Sequence, residues 1–221
     1  MGPLLAFYRS TIGKKAVMAA TGLIGVAFVI AHMVGNLQVF EGAARMNAYA
    51  AFLHGPAAEL VWAMRAVLIV AVALHVVMAY QLTRRDRAAR PVGYEAREPQ
   101  VSTWAVRTIR WGGALLLLFI VLHILHFTTG TIRPAGVYAA GDVYGNVVAS
   151  FRIWWVTAFY VVAMAALGLH LYHGAWSSAR TLGVARPSER PLHRRAAAVV
   201  AVAVWLGFTL VPVAVFARLV R

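Results

Sequence analysis

The sequence contains no cysteine. That excludes disulfides, thiolate-held iron–sulfur clusters, c-type haem attachment and cysteine-based zinc sites. Charge is scarce as well. Of the 221 residues, 13% are charged and only 7 are acidic, where a soluble domain carries about 25% charged residues. Hydrophobic residues make up 62%, and mean hydropathy is +0.72. A water-soluble globule is excluded by that balance. Disorder is excluded by the amount of apolar surface that needs burial. The formal charge of +14 has the sign seen in nucleic-acid binders. Here the basic residues are scattered through loops between apolar stretches, so membrane lipids or an acidic protein partner, and no nucleic acid, are the expected contacts.

What the chain does have is five apolar stretches. They run from about Lys15 to Val39, Glu59 to Leu82, Ile109 to Thr129, Ile153 to Ser177 and Ala196 to Ala217. Each is long enough to cross the hydrocarbon. Backbone satisfaction in lipid favours helices, and strict alternation is lacking, which argues against a barrel. The expectation is an all-α polytopic membrane protein, one transmembrane domain over residues 1–221. The stretch after Arg9, Lys14 and Lys15 is too long for a signal-peptide core and is read as the first membrane helix.

Lysine and arginine are unevenly shared. One side holds fifteen, from Arg9, Lys14 and Lys15, the Arg84–Arg110 region and the Arg180–Arg195 region; the other holds five, with Arg65 inside the second stretch. The bias predicts a cytoplasmic N-terminus and an external C-terminus. The segment Arg84–Thr108 is then a cytoplasmic, charged loop with Pro91 and Pro99. Gly35–Ala58 and Gly130–Phe151 are expected as outer loops. None is large enough for a catalytic domain, so soluble chemistry must come from another subunit.

A short repeat joins the first and third stretches. Gly22, Phe28 and His32 recur at the same spacing as Gly113, Phe119 and His123. This suggests a repeated two-helix hairpin with a fifth helix added.

Six of the eight histidines lie inside the apolar stretches: His32, His75, His123, His126, His170 and His173. Intramembrane ionisable residues are expensive and point to function. A single one serves equally well as a neutral interhelical hydrogen-bonder, but four consecutive stretches each carry at least one. Counted at ~1.5 Å per residue from the nearest inner charge, His32 stands roughly 25 Å and His123 roughly 20 Å deep, His75 roughly 13 Å and His170 roughly 15 Å. Two pairs at two levels suggest two bis-histidine b-type haems in a four-helix bundle with a fifth helix beside it. Depth does not choose between His123 and His126, or between His170 and His173. His54 and His193 fall outside the spans and read as interfacial. Intramembrane zinc would gather three or four ligands at one depth, and a proton relay would add buried carboxylates, which the spans lack.

Several ordered segments carry a family resemblance: Ser10–Gly22, His32–Leu37, Asn47–Leu53, Arg65–His75, Ala89–Tyr94, Leu118–His123 and Gly168–Ser177. In order and spacing the chain resembles the di-haem cytochrome b membrane anchor of succinate dehydrogenase and fumarate reductase (complex II), in its single-anchor five-helix form. The resemblance implies His32 and His123 as iron ligands of an outer haem and His75 and His170 as those of an inner one. It also implies a flavoprotein subunit and an iron–sulfur subunit on the cytoplasmic face, and a quinone, menaquinone, as electron acceptor. The complex would sit in the bacterial cytoplasmic membrane. Haem propionates need cationic partners, for which Arg65 and Lys15 are the candidates, with Lys14 and Arg110 behind them. Tyr49 and Glu59 on the outer side and Trp176 on the inner side are quinone candidates; each also reads as an ordinary interface anchor. Some fumarate-reducing relatives carry a glutamate two residues before the fourth ligand, where this chain has Gly168. Two other readings compete. One is the di-haem cytochrome b of another respiratory dehydrogenase, such as a hydrogenase or formate dehydrogenase, which lacks the ordered motifs. The other is a haem-free transporter or scaffold.

Overall fold

The computed structural model describes residues 2–89, 104–184 and 190–221. Pro91, Pro99, Arg90, Arg97 and Arg186 of the basic loops, and all but the first residue of the Ala89–Tyr94 segment, lie outside the described residues. Every regular element among the described residues is helical. In chain order these are α1 (Pro3–Arg9), α2 (Thr11–Leu37), α3 (Ala43–His54), α4 (Ala58–Ala88), α5 (Trp104–His123), α6 (Val143–Phe151), α7 (Trp154–Thr181) and α8 (Arg190–Phe216). Five of them supply stretches long and apolar enough to cross a membrane: Thr11–Glu41, Ala58–Ala88, Thr108–Thr128, Trp154–Thr181 and Leu192–Phe216. The chain is therefore a multi-pass membrane protein. Helices are the physical solution for such segments, because each satisfies its own backbone where no water is available.

The ends of these helices follow local chemistry. Ser10 breaks the chain between α1 and α2: its hydroxyl accepts from the Gly13 N–H at 2.8 Å and donates to the Phe7 carbonyl at 2.7 Å. That is an N-cap, which satisfies one of the free donors at a helix start. α5 does not stop at His123. It widens into a π turn over Ile124–Thr128, a form found mostly as single turns at functional places in helices. Pro212 sits inside α8 and the helix continues past it to Phe216, which is tolerated where neighbouring helices support the freed backbone group.

The two outer segments differ from the expectation of plain loops. Gly35–Ala58 contains α3, and Gly130–Phe151 contains α6. Their pattern is too short for a membrane span, but their apolar faces have something to cover. Met46 of α3 and Val147, Val148 and Phe151 of α6 bury with Val39, Val156, Tyr160, Val211 and Val215 in one cluster at this end of the molecule. Asp142 caps α6 by accepting from the Gly145 N–H, and it also accepts from the Asn47 amide, each at 2.9 Å. The two donors hold its carboxyl below the usual carboxylate range.

Packing is uneven. α7 sits against α2, α5 and α8, and α2 against α4 and α8. Within the apolar windows, 33% of α7 and of α8 is buried, against 11% in α2 and 6% in both α4 and α5. The fifth membrane helix is therefore not a loose addition: α8 and α7 make the best-packed seam. Leu171, Ala201 and Val204 are buried there, with Val29 and Met33 of α2 against them. Gly168 belongs to this seam, since a β-carbon on it would lie 3.2 Å from the Trp205 β-carbon. The position faces α8.

Candidate functional site

The turns of α2, α4, α5 and α7 carry their histidines inward at two levels. His32 on α2 and His123 on α5 face one another with ring centres 5.9 Å apart. His75 on α4 and His170 on α7 do the same at 6.1 Å. The helices that carry each pair make no extensive backbone contact with one another, and the two imidazoles of each pair meet between them. The His75–His170 pair lies toward the basic end of the helices and the His32–His123 pair toward the end covered by α3 and α6. Gly22 marks the level of His75 on α2, ten residues from His32, so the two levels are separated by ~15 Å along the axis.

The repeated Gly–Phe–His spacing has a structural meaning at both levels. Phe28 stacks on His32 at 5.3 Å and Phe119 stacks on His123 at 5.6 Å. These are partners one helical turn apart on the same face. The two glycines serve the other pair. A β-carbon on Gly22 would lie 3.3 Å from His75 Cε1, and one on Gly113 would lie 3.8 Å from His170 Cε1. Each half of the repeat therefore offers a stacked histidine at one level and a cleared surface at the other.

Hydrogen bonds define which nitrogens are free. His75 Nδ1 lies 3.0 Å from the Met18 carbonyl and 3.3 Å from Thr21 Oγ1. A carbonyl only accepts, so Nδ1 carries the proton and Nε2 keeps its lone pair. His170 Nδ1 is buried without a hydrogen-bond partner among the described residues. The Asn36 amide donates to the His32 carbonyl at 2.7 Å and lies 3.3 Å from His32 Nε2. His126 differs from the other four. It is buried, its Nδ1 is 3.0 Å from the Tyr160 hydroxyl, and its Nε2 is 2.9 Å from Ser150 Oγ. Both ring nitrogens are engaged, so between His123 and His126 only His123 retains a nitrogen for a ligand. His173 and Trp176 meet edge to face, ring centres 5.8 Å apart, and the buried His173 Nδ1 also lacks a hydrogen-bond partner among the described residues.

The remaining candidates are dispersed. Arg65 lays its guanidinium over the Trp62 ring at 4.8 Å. Lys15 is exposed, whereas Lys14 is buried, bonded to the Gln81 side-chain carbonyl and held over the Tyr8 ring at 4.2 Å. Tyr49 packs against Gly35, leaving about 3.0 Å for any β-carbon there. Glu59 is exposed in the first turn of α4. Trp176 is buried between Arg180 and Arg194, their guanidinium carbons 5.5 and 5.0 Å from its ring centre. Arg110 pairs with Asp86 at 3.1 Å. Three participants escaped the sequence reading: Thr21, Ser150 and Tyr160. Tyr160 had a legible signal, a phenol in the middle of an apolar span whose hydroxyl needs a partner when buried.

Among the described residues no three or more His, Cys, Asp or Glu side chains converge on one point. A metal ion held by protein alone would need such a group. Two facing imidazoles suit a metal whose other ligands come from a macrocycle. With metal–imidazole bonds of about 2 Å and about 1 Å more from nitrogen to ring centre, axial imidazoles on one iron have centres about 6 Å apart. The observed 5.9 and 6.1 Å fit bis-histidine haem. No family model matches the chain, and no curated protein or solved structure matches it.

Proposed function

We propose that this chain is the membrane anchor and di-haem electron relay of a succinate:quinone oxidoreductase. The observation that carries the reading is the pair of facing imidazoles at each of two levels, His32 with His123 and His75 with His170. A haem b bound at each level supplies a one-electron carrier. The chain's own residues do the rest. The four histidines would supply the nitrogens that hold the iron, the Met18 carbonyl holds His75 in the tautomer that leaves Nε2 free, and Phe28 and Phe119 support the rings of the other pair. The helices that carry the half-buried pairs are apolar along their membrane-spanning lengths.

The succinate-specific part of the reading rests on the ordered segments quoted above. A flavoprotein would oxidise succinate and an iron–sulfur subunit would pass the electrons on. Both would dock at the basic end, where Lys15, Arg84 and Arg87 are exposed. In this reading that end faces the cytoplasm and the membrane is the bacterial cytoplasmic membrane. The acceptor is menaquinone, with Trp176 near the basic end and Tyr49 and Glu59 near the other as contact candidates. Arg65 and Lys15 remain the propionate candidates.

The test is spectroscopic. Pyridine haemochrome analysis of the purified complex should give two haem b per chain. His32→Ala or His123→Ala should each remove one and the same haem, and His75→Ala or His170→Ala the other, while His126→Ala retains both. A complex without a Soret band would return the chain to a transporter or scaffold role. Two haems without co-purifying flavoprotein and iron–sulfur subunits would favour the cytochrome of a different dehydrogenase.

A further inference from the structure

Where the two levels differ is in what stands behind the histidines. Behind His75 is a peptide carbonyl. Behind His123 is a side-chain chain that the proposed relay does not itself require. The Tyr160 hydroxyl lies 3.4 Å from His123 Nδ1 and 3.0 Å from His126 Nδ1, and His126 Nε2 lies 2.9 Å from Ser150 Oγ. All three supporting residues are buried, with Tyr160, His126 and Ser150 at 7%, 6% and 4% exposure. Tyr160 is immobilised edge-on by Phe119, Phe151 and Phe127 at 5.1, 4.9 and 5.8 Å. His126 follows His123 by three residues, in a segment that is π-helical over Ile124–Thr128.

We propose that Tyr160, backed by His126 and Ser150, is the positioning residue of His123: it fixes the tautomer that His123 presents to iron and tunes the reduction potential of the haem held there. This rests on the di-haem reading. A metal-bound His123 carries its proton on Nδ1, so it donates to the Tyr160 oxygen. The phenol's single proton then has one remaining acceptor, His126 Nδ1. His126 must be protonated on Nε2, which donates to Ser150 Oγ. One direction of donation satisfies every link, and every member stays neutral. An acceptor behind a metal-bound imidazole orients the ring and raises its basicity, which favours the oxidised metal. Donation from Tyr160 to His126 polarises the phenol oxygen and strengthens it as an acceptor.

Tyr160→Phe keeps the ring and removes the oxygen. In the whole complex it should retain two haems and raise one midpoint potential, by about tenfold in the reduction equilibrium, or 59 mV for a one-electron couple. The shifted haem should be the one missing from His123→Ala, and its low-spin ferric EPR signal should move while the other stays. His126→Leu should shift the same haem in the same direction by less, since the oxygen remains but loses its polarisation. Both midpoints unchanged in Tyr160→Phe, or both moved equally, overturns the proposal. If Tyr160→Phe fails to assemble, His126→Leu and Ser150→Ala decide, and unchanged midpoints in both overturn it. A wild-type complex that carries no haem defeats the relay reading itself, and this assignment with it.

Discussion

Gly22 and Gly113 carry no chemistry, yet each lies against one histidine of the His75–His170 pair. Each leaves room on its helix for an imidazole from the neighbouring helix, at 3.3 Å for Gly22 and 3.8 Å for Gly113. Any side chain beyond a methyl group would have to displace a ring in a closely packed interior, where overpacking costs about 1–3 kcal/mol. Gly22→Leu should therefore lose the haem of the His75–His170 pair and keep that of His32–His123. Gly22→Ala should keep both, because its contact to Cε1 is tight but small. Haem quantitation on the two variants separates these outcomes, and loss of both haems in Gly22→Leu would mean the glycine serves folding in general. His126, though intramembrane, has both nitrogens committed to Tyr160 and Ser150, so the proposed relay does not use it as a ligand.

α6 shows how an element outside the membrane positions groups within it. Its N-cap, Asp142, ties α6 to α3 through Asn47, whose side-chain carbonyl also accepts from the Tyr144 N–H at 3.0 Å. From its far side α6 delivers Ser150 to His126. The donors around Asp142 lower its pKa in the folded state. Its contribution is therefore present above the unfolded carboxylate pKa of about 3.9 and is lost as pH falls through the lower folded value. Hydrogen exchange of α6 amides should show protection decreasing below about pH 4. Asp142→Asn should keep the cap and abolish that pH dependence. Asp142→Ala should lose the cap at every pH, at a cost of about 1 kcal/mol. An acid response that persists in Asp142→Asn would assign it to another group.

For the whole molecule, the absence of cysteine makes topology directly measurable. Single cysteines introduced at exposed Ala88, at the basic end, and exposed Ala140, at the end covered by α3 and α6, have no native thiol to compete with them. With the basic end in the cytoplasm, an impermeant maleimide applied to intact cells should label Ala140→Cys and not Ala88→Cys. Inverted vesicles should give the opposite, and the reverse pattern would overturn the orientation argued from lysine and arginine. The uneven burial of the helices belongs to this scale too. α7 and α8 hold a seam of conventional side-chain packing, while α2, α4 and α5 bury little against their neighbours.

Length and hydropathy were enough to specify five membrane helices, because in lipid the backbone leaves few alternatives and each span must be about as long as the bilayer is thick. Helical rise alone also separated the histidines into two levels, since depth along a straight helix is proportional to residue number. What could not be read that way is anything set by rotation and by contacts between helices. The engagement of both His126 nitrogens is one such feature, because Tyr160 and Ser150 lie on other elements. The service that Gly22 and Gly113 render to histidines on α4 and α7 was hidden behind an apparent repeat. α3 and α6 were invisible as helices because their apolar residues acquire a partner surface only when the ends of α2, α7 and α8 are brought together.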